Sequence, residues 1–531
     1  MSRARLARLA LPALASACNV GPRYVPPSVF APAAFKEAAR AAYEGAPPGA
    51  WRPAEPQDGA LKGTWWRMFG EPELDALEEQ LDRGNQNIAQ SLQGFMAARA
   101  QVSVARAGYY PTVAVSPSYS TSGTGAGGGA VVTPRAGTPA GGAGYSGGAS
   151  TGVGPNGGAS TVGSFGSGSY FSIPIEASWA PDLWDRVRNT VRQYSYAAQV
   201  SAADLENVRL TQHAALAVYY FELRGQDALQ DLYRRTLAAD RASLELTRAQ
   251  AEVGTGTPEA VAQAEVTLAN AEATATGIAT NRALYEHAIA TLIGRPASEF
   301  SMPVRALRTP VPAIPVGIPS ELLQRRPDIA AAERTLAEAN ALIGVGKAAY
   351  YPSLDLVASG GVASSALSTL FSLPALFWSL GASATETIFD GGLRDATVAQ
   401  YVALYKADVA AYRLTVLTAF QQVEDEVSTM RVLSQQIARQ ETAVQAAHRF
   451  LDIATAQYQT GLVPYLDVIT AQNLLLADEQ TLVTLRVAQM TAAVQLVQAL
   501  GGGWDAAQLP AASEITSDEA LRRVSGPRPA P

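Results

Sequence analysis

Cys18 is the only cysteine among 531 residues, so no intramolecular disulfide can form. His213, His287 and His448 are the only histidines, far apart and each on a helical pattern. They read as solvated or interhelical side chains rather than a metal site. With no catalytic constellation, an enzyme is not expected. Lys and Arg number 40 against 47 Asp and Glu, a net charge of −7, and no basic patch offers a nucleic-acid footprint. After the N-terminal segment no run of 18 apolar residues occurs, so no transmembrane helix is expected. A membrane crossing, if there is one, must be made by strands. Proline is missing from 185–253 and from 390–460, which leaves two very long stretches free to be helix.

What is present is a chain that reads twice. Ile88, Ala89, Ala98, Tyr109, Tyr110 and Pro111 recur 241 residues later as Ile329, Ala330, Ala339, Tyr350, Tyr351 and Pro352. Gly254, Val261, Ala264, Leu268 and Gly294 recur at an offset of 207 as Gly461, Val468, Ala471, Leu475 and Gly501. A glycine-rich stretch in the first half explains most of the change in offset. One architecture built from two copies of a unit follows. The expected organisation is a signal peptide at 1–17, an extended strap or linker at 18–63, a first repeat at 64–300, a second at 301–502 and a C-terminal tail at 503–531.

Arg3, Arg5 and Arg8 precede a short apolar run, Leu9 to Ala17, and then Cys18. This is the layout of a secretory signal. Leu14-Ala15-Ser16-Ala17-Cys18 resembles a bacterial lipobox, although Ala15 stands where leucine is commonest; the alternative is an ordinary signal with an incidental cysteine. The lipobox implies acylation of Cys18 as the first mature residue, and Asn19 after it suggests sorting to the outer membrane. The proline-rich stretch from Gly21 to about Gly63 forbids regular helix and reads as the strap.

From Pro72 to about Gly108 the pattern is helical, and its second copy begins near Ser320 and ends before Pro352. The period then becomes two. Val113, Val115 and Tyr119 alternate with Thr112, Ala114, Ser116 and Ser118, and Phe171, Ile173, Ile175, Ala177 and Trp179 alternate with Ser172, Glu176 and Ser178. The second copy sets Leu354, Leu356 and Ala358 against Ser353, Asp355 and Ser359, then Leu376, Trp378 and Leu380 against Ser379, Gly381 and Ser383. Strands of about 8–11 residues with one apolar face suit a barrel wall, although soluble hairpins share the pattern. Four strands cannot close a barrel, since about eight are needed, so several protomers would have to share one. The loop from Thr121 to Ser169 holds 18 glycines among 49 residues and cannot form a packed core.

Each strand pair is followed by a long helical pattern, Asp185 to about Val253 and Asp390 to about Thr460. About 70 residues at ~1.5 Å each extend on the order of 100 Å. Each pattern turns at a glycine, Gly254 or Gly461, and a partner helix returns. On the first return Leu268, Ala271, Ala275, Ile278, Tyr285, Ile289 and Leu292 keep a 3–4 spacing interrupted at Arg282. On the second Val483, Val487, Met490, Val494 and Val497 do the same, as coiled coils do.

The chain resembles the TolC-like outer-membrane factors, in particular the lipoprotein efflux channels of the NodT type. The resemblance rests on Cys18 with Val20-Gly21-Pro22-Arg23-Tyr24-Val25-Pro26, on Trp65-Trp66 with Phe69 and Leu74, and on Leu322-Leu323-Gln324-Arg325-Arg326-Pro327-Asp328-Ile329 with Ala332-Glu333. Ile343-Gly344 and Tyr351-Pro352 complete it. It implies a mainly helical fold with a small membrane β-barrel: a homotrimer whose strands, four per protomer, make one twelve-stranded barrel in the outer membrane. Long helical hairpins would form a periplasmic tunnel, belted by the termini and the segment from Phe300 to Ser320. The implied function is the exit channel of a tripartite efflux system. Its partners would be a periplasmic adaptor and an inner-membrane pump of the resistance–nodulation–division type; no cofactor is implied beyond the lipid on Cys18. A type I secretion exit channel, and a periplasmic coiled-coil protein without a pore, are the alternatives.

The candidate sites lie at the hairpin turns. Gly254 and Gly461 would mark the tunnel end where an adaptor docks, or they serve only the left-handed turn. The family often sets arginine just before the tip glycine, whereas here Gln250 and Gln457 stand four before. Asp467, six residues after Gly461, either complements the helix dipole or contributes to a ring of acidic side chains narrowing the mouth. Arg325, Arg326 and Asp328 read as capping and packing residues of a helix start.

Overall fold

The computed structural model describes residues 20–32, 34–37, 63–122, 168–305, 310–312, 314 and 322–515. Cys18, the signal segment and nearly all of the glycine-rich loop lie outside them. The chain divides into two units, one from 1–106, 184–349 and 391–531, the other from 107–183 and 350–390. Among the described residues no helix is long and apolar enough to cross a membrane.

The second unit is a single antiparallel sheet. Strands β1 (Thr112–Val115) and β2 (Ser118–Ser122) both pair with β3 (Gly168–Trp179). β3 pairs with β4 (Ser353–Ser364), and β4 with β5 (Leu376–Thr385). β1 and β2 are one lane, because Val115 faces Ile175, Ser118 faces Ser172 and Ser116 N–H donates to Pro174 O across the gap. Pro117 and Pro174 each lack a backbone donor, which interrupts the lane without shifting its register. The registers bring the expected apolar residues together: Val113, Ala177, Ala358 and Leu380 in one row, Trp179, Leu356 and Ala382 in another. The opposite face carries Thr112 with Ser178, Ser118 with Ser172 and Ser359 with Ser379, each joined through its hydroxyls at 2.7, 2.8 and 3.4 Å. On the apolar face Val113, Ile175, Trp378 and Leu380 are exposed.

The helical unit begins with α1 (Pro72–Gly84) and α2 (Gln86–Ala107), where the sequence pattern predicts a single helix to about Gly108. Asn85 breaks it. Its backbone is extended at φ −68° and ψ 121°, its side-chain oxygen accepts from Ile88 N–H at 3.0 Å as an N-cap, and its amide donates to Leu292 O at 2.8 Å. The two long helices, α3 (Arg186–Glu252) and α6 (Leu393–Gln459), are each 67 residues, and their returns, α4 (Pro258–Leu292) and α7 (Tyr465–Ala499), are each 35. The second repeat opens with α5 (Pro327–Ala348), the counterpart of α2, preceded by one turn at Leu322–Arg325. α3 packs against α4, α5 and α7, while α6 packs against α5 and α7.

The repeat extends to hydrogen bonds. Asn85 reaches the end of α4, and its counterpart Arg326 donates to Ala499 O at the end of α7. Arg326 also binds Asp328 through two nitrogens and Gln422 through a third contact, so the Arg-Pro-Asp segment is a buried helix start, as expected. Gly294 and Gly501 have φ of +74° and +91°, and a Cβ there would come within 2.1 Å of Gly84 O and 2.0 Å of Arg325 O.

The largest core gathers Trp65, Trp66, Phe69, Leu74, Leu81, Phe221, Ile289, Val416, Val423, Val494 and Val497 from both repeats. The expected seams are buried at Ala271, Ile278 and Ile289 on α4 and at Val487, Met490, Val494 and Val497 on α7. Arg282 interrupts the first because it pairs with Asp227 at 2.7 Å. The described part of the strap lies on α5 and α6: Tyr24 donates to Glu333 at 2.6 Å, and Glu424 accepts from Lys36 and Glu37 N–H. Beyond Gly502 the tail still packs, Gln199 donating to Pro510 O at 3.0 Å and Ile515 lying against Val102 and Ala198.

Candidate functional site

Both hairpins close in the same way. Gly254 (φ +80°) and Gly461 (φ +75°) are exposed, with nothing within 4 Å of a would-be Cβ, so glycine is required by backbone angle and not by crowding. Thr255 N–H reaches back to Gln250 O, and Leu462 N–H to Gln457 O, both at 2.9 Å, the closure of a Schellman turn. Thr257 caps α4 through Ala260 N–H at 3.3 Å, and Pro258 follows in the first turn. Around the turns Val253 and Leu462 are about three-quarters exposed, at 73% and 75%. They form a small apolar tip on each hairpin. Asp467 lies half-buried in the first turn of α7; its counterpart in the first repeat is Ala260, and α4 carries its first-turn acid one position earlier, at exposed Glu259.

Behind the tips the two hairpins meet along a seam of α3 against α7 and α6. Tyr458 donates to Gln250, Ser243 and Tyr465 share a hydrogen bond of 2.5 Å, and Tyr233 donates to Gln480 at 3.4 Å. Leu244, Ala264, Ala454, Tyr465, Val468, Ile469 and Ala471 form the apolar cluster between them. Within this seam α3 places Tyr233, Leu237, Asp240, Leu244 and Thr247 on one stripe at 3–4 spacing. Asp240 is 4% exposed, and its Oδ2 has no hydrogen-bond partner. Burial alone pushes its carboxyl up to about 6. No motif marks Asp240 in the sequence; the one signal that could have found it is the 3–4 stripe on α3, which sets an acid at a seam position.

A second polar group lies in the large core. Arg224, fully buried, donates to Asp227 at 2.7 Å, to Glu73 at 2.5 Å and to Pro303 O at 2.8 Å, and lies over the Tyr220 ring. Arg282 and Arg305 join it, through Met302 O and through Asp227 and Glu71. This network holds the segment 302–305 to α1, α3 and α4. His213 stacks on Trp66 at 4.6 Å, and its ring nitrogens contact Glu78 at 2.6 Å and Asp82 at 3.1 Å. Burial pushes the imidazole down, but hydrogen bonds to Asp82 and Glu78 and their charges outweigh it and raise it to about 9. Burial raises Glu78 to about 7 against the opposing pull of His213. His213 is thus an interhelical histidine; His448, more exposed, pairs with Glu479 at 3.2 Å. Among the described residues no group of His, Cys, Asp or Glu could hold a metal ion.

A sheet with one apolar face, joined in sequence to paired helical hairpins that repeat with the same lengths, defines the class of outer-membrane efflux ducts. The chain belongs to the outer membrane efflux protein family, whose model matches residues 77–295 and 318–502, one segment per repeat. It is 28% identical over 500 residues to the probable efflux pump outer membrane protein SepC of Pseudomonas putida, covering 94% of this chain and 96% of that one. To the antibiotic efflux pump outer membrane protein ArpC of Pseudomonas putida it is 30% identical over 460 residues, covering 86% and 88%. Among solved structures, the Campylobacter jejuni CmeC outer membrane channel superposes with a TM-score of 0.79 at 20% identity, covering 95% of this chain and all of that one. The Neisseria gonorrhoeae MtrE outer membrane channel gives 0.73 at 23%, over 92% and 99%. At those identities the likeness speaks for the fold alone. Family membership makes the chain an efflux channel of the outer membrane, not an enzyme, and a component of a pump with further parts.

Proposed function

We propose that three copies of this chain form one exit duct, taking small molecules from a periplasmic adaptor and an inner-membrane pump of the resistance–nodulation–division type and releasing them outside. The observation that carries this reading is the sheet. It has a continuous apolar face and two outer lanes, β1 with β2 on one side and β5 on the other, with no further strand beside them among the described residues. An open edge cannot stand in hydrocarbon, where unpaired backbone groups each cost several kcal/mol. The lanes of one copy are too few to close, whereas those of three copies suffice.

Three further assignments follow from this reading. The apolar tips at Gly254 and Gly461 dock the adaptor. Asp467, present once per copy, contributes three carboxylates to the mouth of the tunnel. Cys18 carries the lipid that anchors the chain to the outer membrane, so the protein is a palmitoylated lipoprotein, a form suited to multidrug resistance pumps.

The test is the mass of the protein extracted from outer membranes in mild detergent, with conductance in planar bilayers measured on the same preparation. The expected result is a trimer that conducts ions and incorporates labelled palmitate, the label being lost in Cys18→Ser. A conducting monomer, or a trimer without a pore, overturns the duct; palmitate retained by Cys18→Ser overturns the anchor alone.

A further inference from the structure

Asp240 occupies a position where a helical seam calls for an apolar residue. Leu237 precedes it by three residues and Leu244 follows by four, and both pack into apolar clusters on either side. In the second repeat the same place on α6, offset by 207 residues, is Ala447, buried at 3%. The fold therefore does not require an acid there. Nothing neutralises it. On α3 the neighbouring Arg241 and Arg248 pair with Glu272 and Glu265 of α4, and all four side chains are about half exposed. On α7 the titratable groups of these turns are Tyr465, whose hydroxyl is held by Ser243, and half-buried Asp467. On α6 they are Tyr458, bonded to Gln250, and Asp452, which is exposed.

We propose that Asp240 is a proton-operated latch: protonated, it lets the first hairpin pack against the second near the tips, and ionised, it drives α3 and α7 apart. The physical basis is that a buried carboxylate whose Oδ2 is unpartnered, on the same α3 stripe as Leu237 and Leu244 and near enough to Tyr465 to act on its hydroxyl, is far costlier than the neutral acid. The seam around it holds only by apolar contact and three cross-hairpin hydrogen bonds, so an ion at its centre has little to overcome. The direction follows from linkage. A carboxyl raised from 3.8 to about 6 stabilises the packed seam fully at low pH and loses that contribution as pH rises through 6. The opened seam, in which the acid meets water, is then favoured by up to roughly 100-fold, because the carboxyl gives up its proton about a hundred times more readily in water than in the packed seam.

The role as a latch of the duct rests on the function proposed above; the seam itself does not. The experiment is hydrogen–deuterium exchange on the full-length protein at pH 5 and pH 7.5, with rates corrected for intrinsic pH dependence, on wild type, Asp240→Asn and Asp240→Ala. Ala is the residue the second repeat already uses, so at least one variant should fold. In wild type, protection of amides in 240–252 and 465–475 should fall by about ten-fold between the two pH values. In the variants it should change by less than about three-fold, since the seam then holds no buried acid to titrate. Equal pH dependence in variants and wild type, or none in wild type, overturns the latch. In planar bilayers wild-type conductance should rise across the same interval and that of Asp240→Ala should not. A preparation that never conducts counts against the duct, and the exchange result then decides the latch by itself.

Discussion

His213 shows how one side chain can join two parts of the helical unit. Its protonated ring donates from both nitrogens, to Glu78 and Asp82 of α1, while its face rests on Trp66. Both His213 and Glu78 hold their protons more tightly folded than unfolded, so the folded state binds more protons and stability falls as pH rises. The His213 contribution is complete below its ordinary value near 6.5 and lost as pH passes about 9; that of Glu78 is lost earlier, as pH passes about 7. Urea or thermal unfolding followed from pH 5 to 10 should show this decline, amounting to at most about 3 kcal/mol for the histidine. His213→Gln should flatten the limb between pH 6.5 and 9, and an unchanged limb would mean the clamp is not the titrating group. The counterpart of His213 in the second repeat is Phe420, also buried, so the clamp was added to a position that packs without it. Such residues are hard to see in a sequence. A search for apolar periodicity counts His213, Arg224 and Asp240 as breaks, and only the neighbours folded against them reveal whether each break is satisfied.

Elements were far more legible. Long proline-free stretches, glycine turns and period-two strands are backbone properties written into single residues, and they foretold α3, α6, both tips and all four sheet lanes. The break between α1 and α2 was not legible, because Asn85 is tolerated inside helices. What makes it a cap is the α4 carbonyl at Leu292, more than 200 residues away. Where helices end on one another, the contact is backbone to backbone. Gly501→Ala should therefore destabilise the helical unit by about 3 kcal/mol, combining a positive φ with an overpacked Cβ. Gly461→Ala, with the same φ problem and open space, should cost about 1 kcal/mol. Thermal unfolding of the two variants side by side checks this, and an equal loss in both would show that crowding at Arg325 contributes nothing.

For the whole molecule, the repeat sets a frame in which asymmetry carries information. The two hairpins agree in length and in turn geometry, yet Asp240 and Asp467 each occur in one of them only. If the proposed trimer sets Asp467 in a ring, Asp467→Asn should leave folding intact while weakening cation preference and block by divalent cations, because it removes one negative charge per copy from that ring. Single-channel conductance over a range of divalent concentrations measures both, and identical behaviour would reduce Asp467 to a helix-start residue. The sheet carries a different kind of information in Pro117. Ser116 turns its backbone groups toward β3, so its neighbour Pro117 turns toward the free edge, since consecutive residues of a ladder alternate. In the proposed trimer, a newly made copy awaiting its partners would expose that edge to any extended chain, the usual route to runaway strand addition. One missing donor in the middle of it leaves a gap that a foreign strand meets at a loss. A single ring atom thereby helps to keep assembly finite.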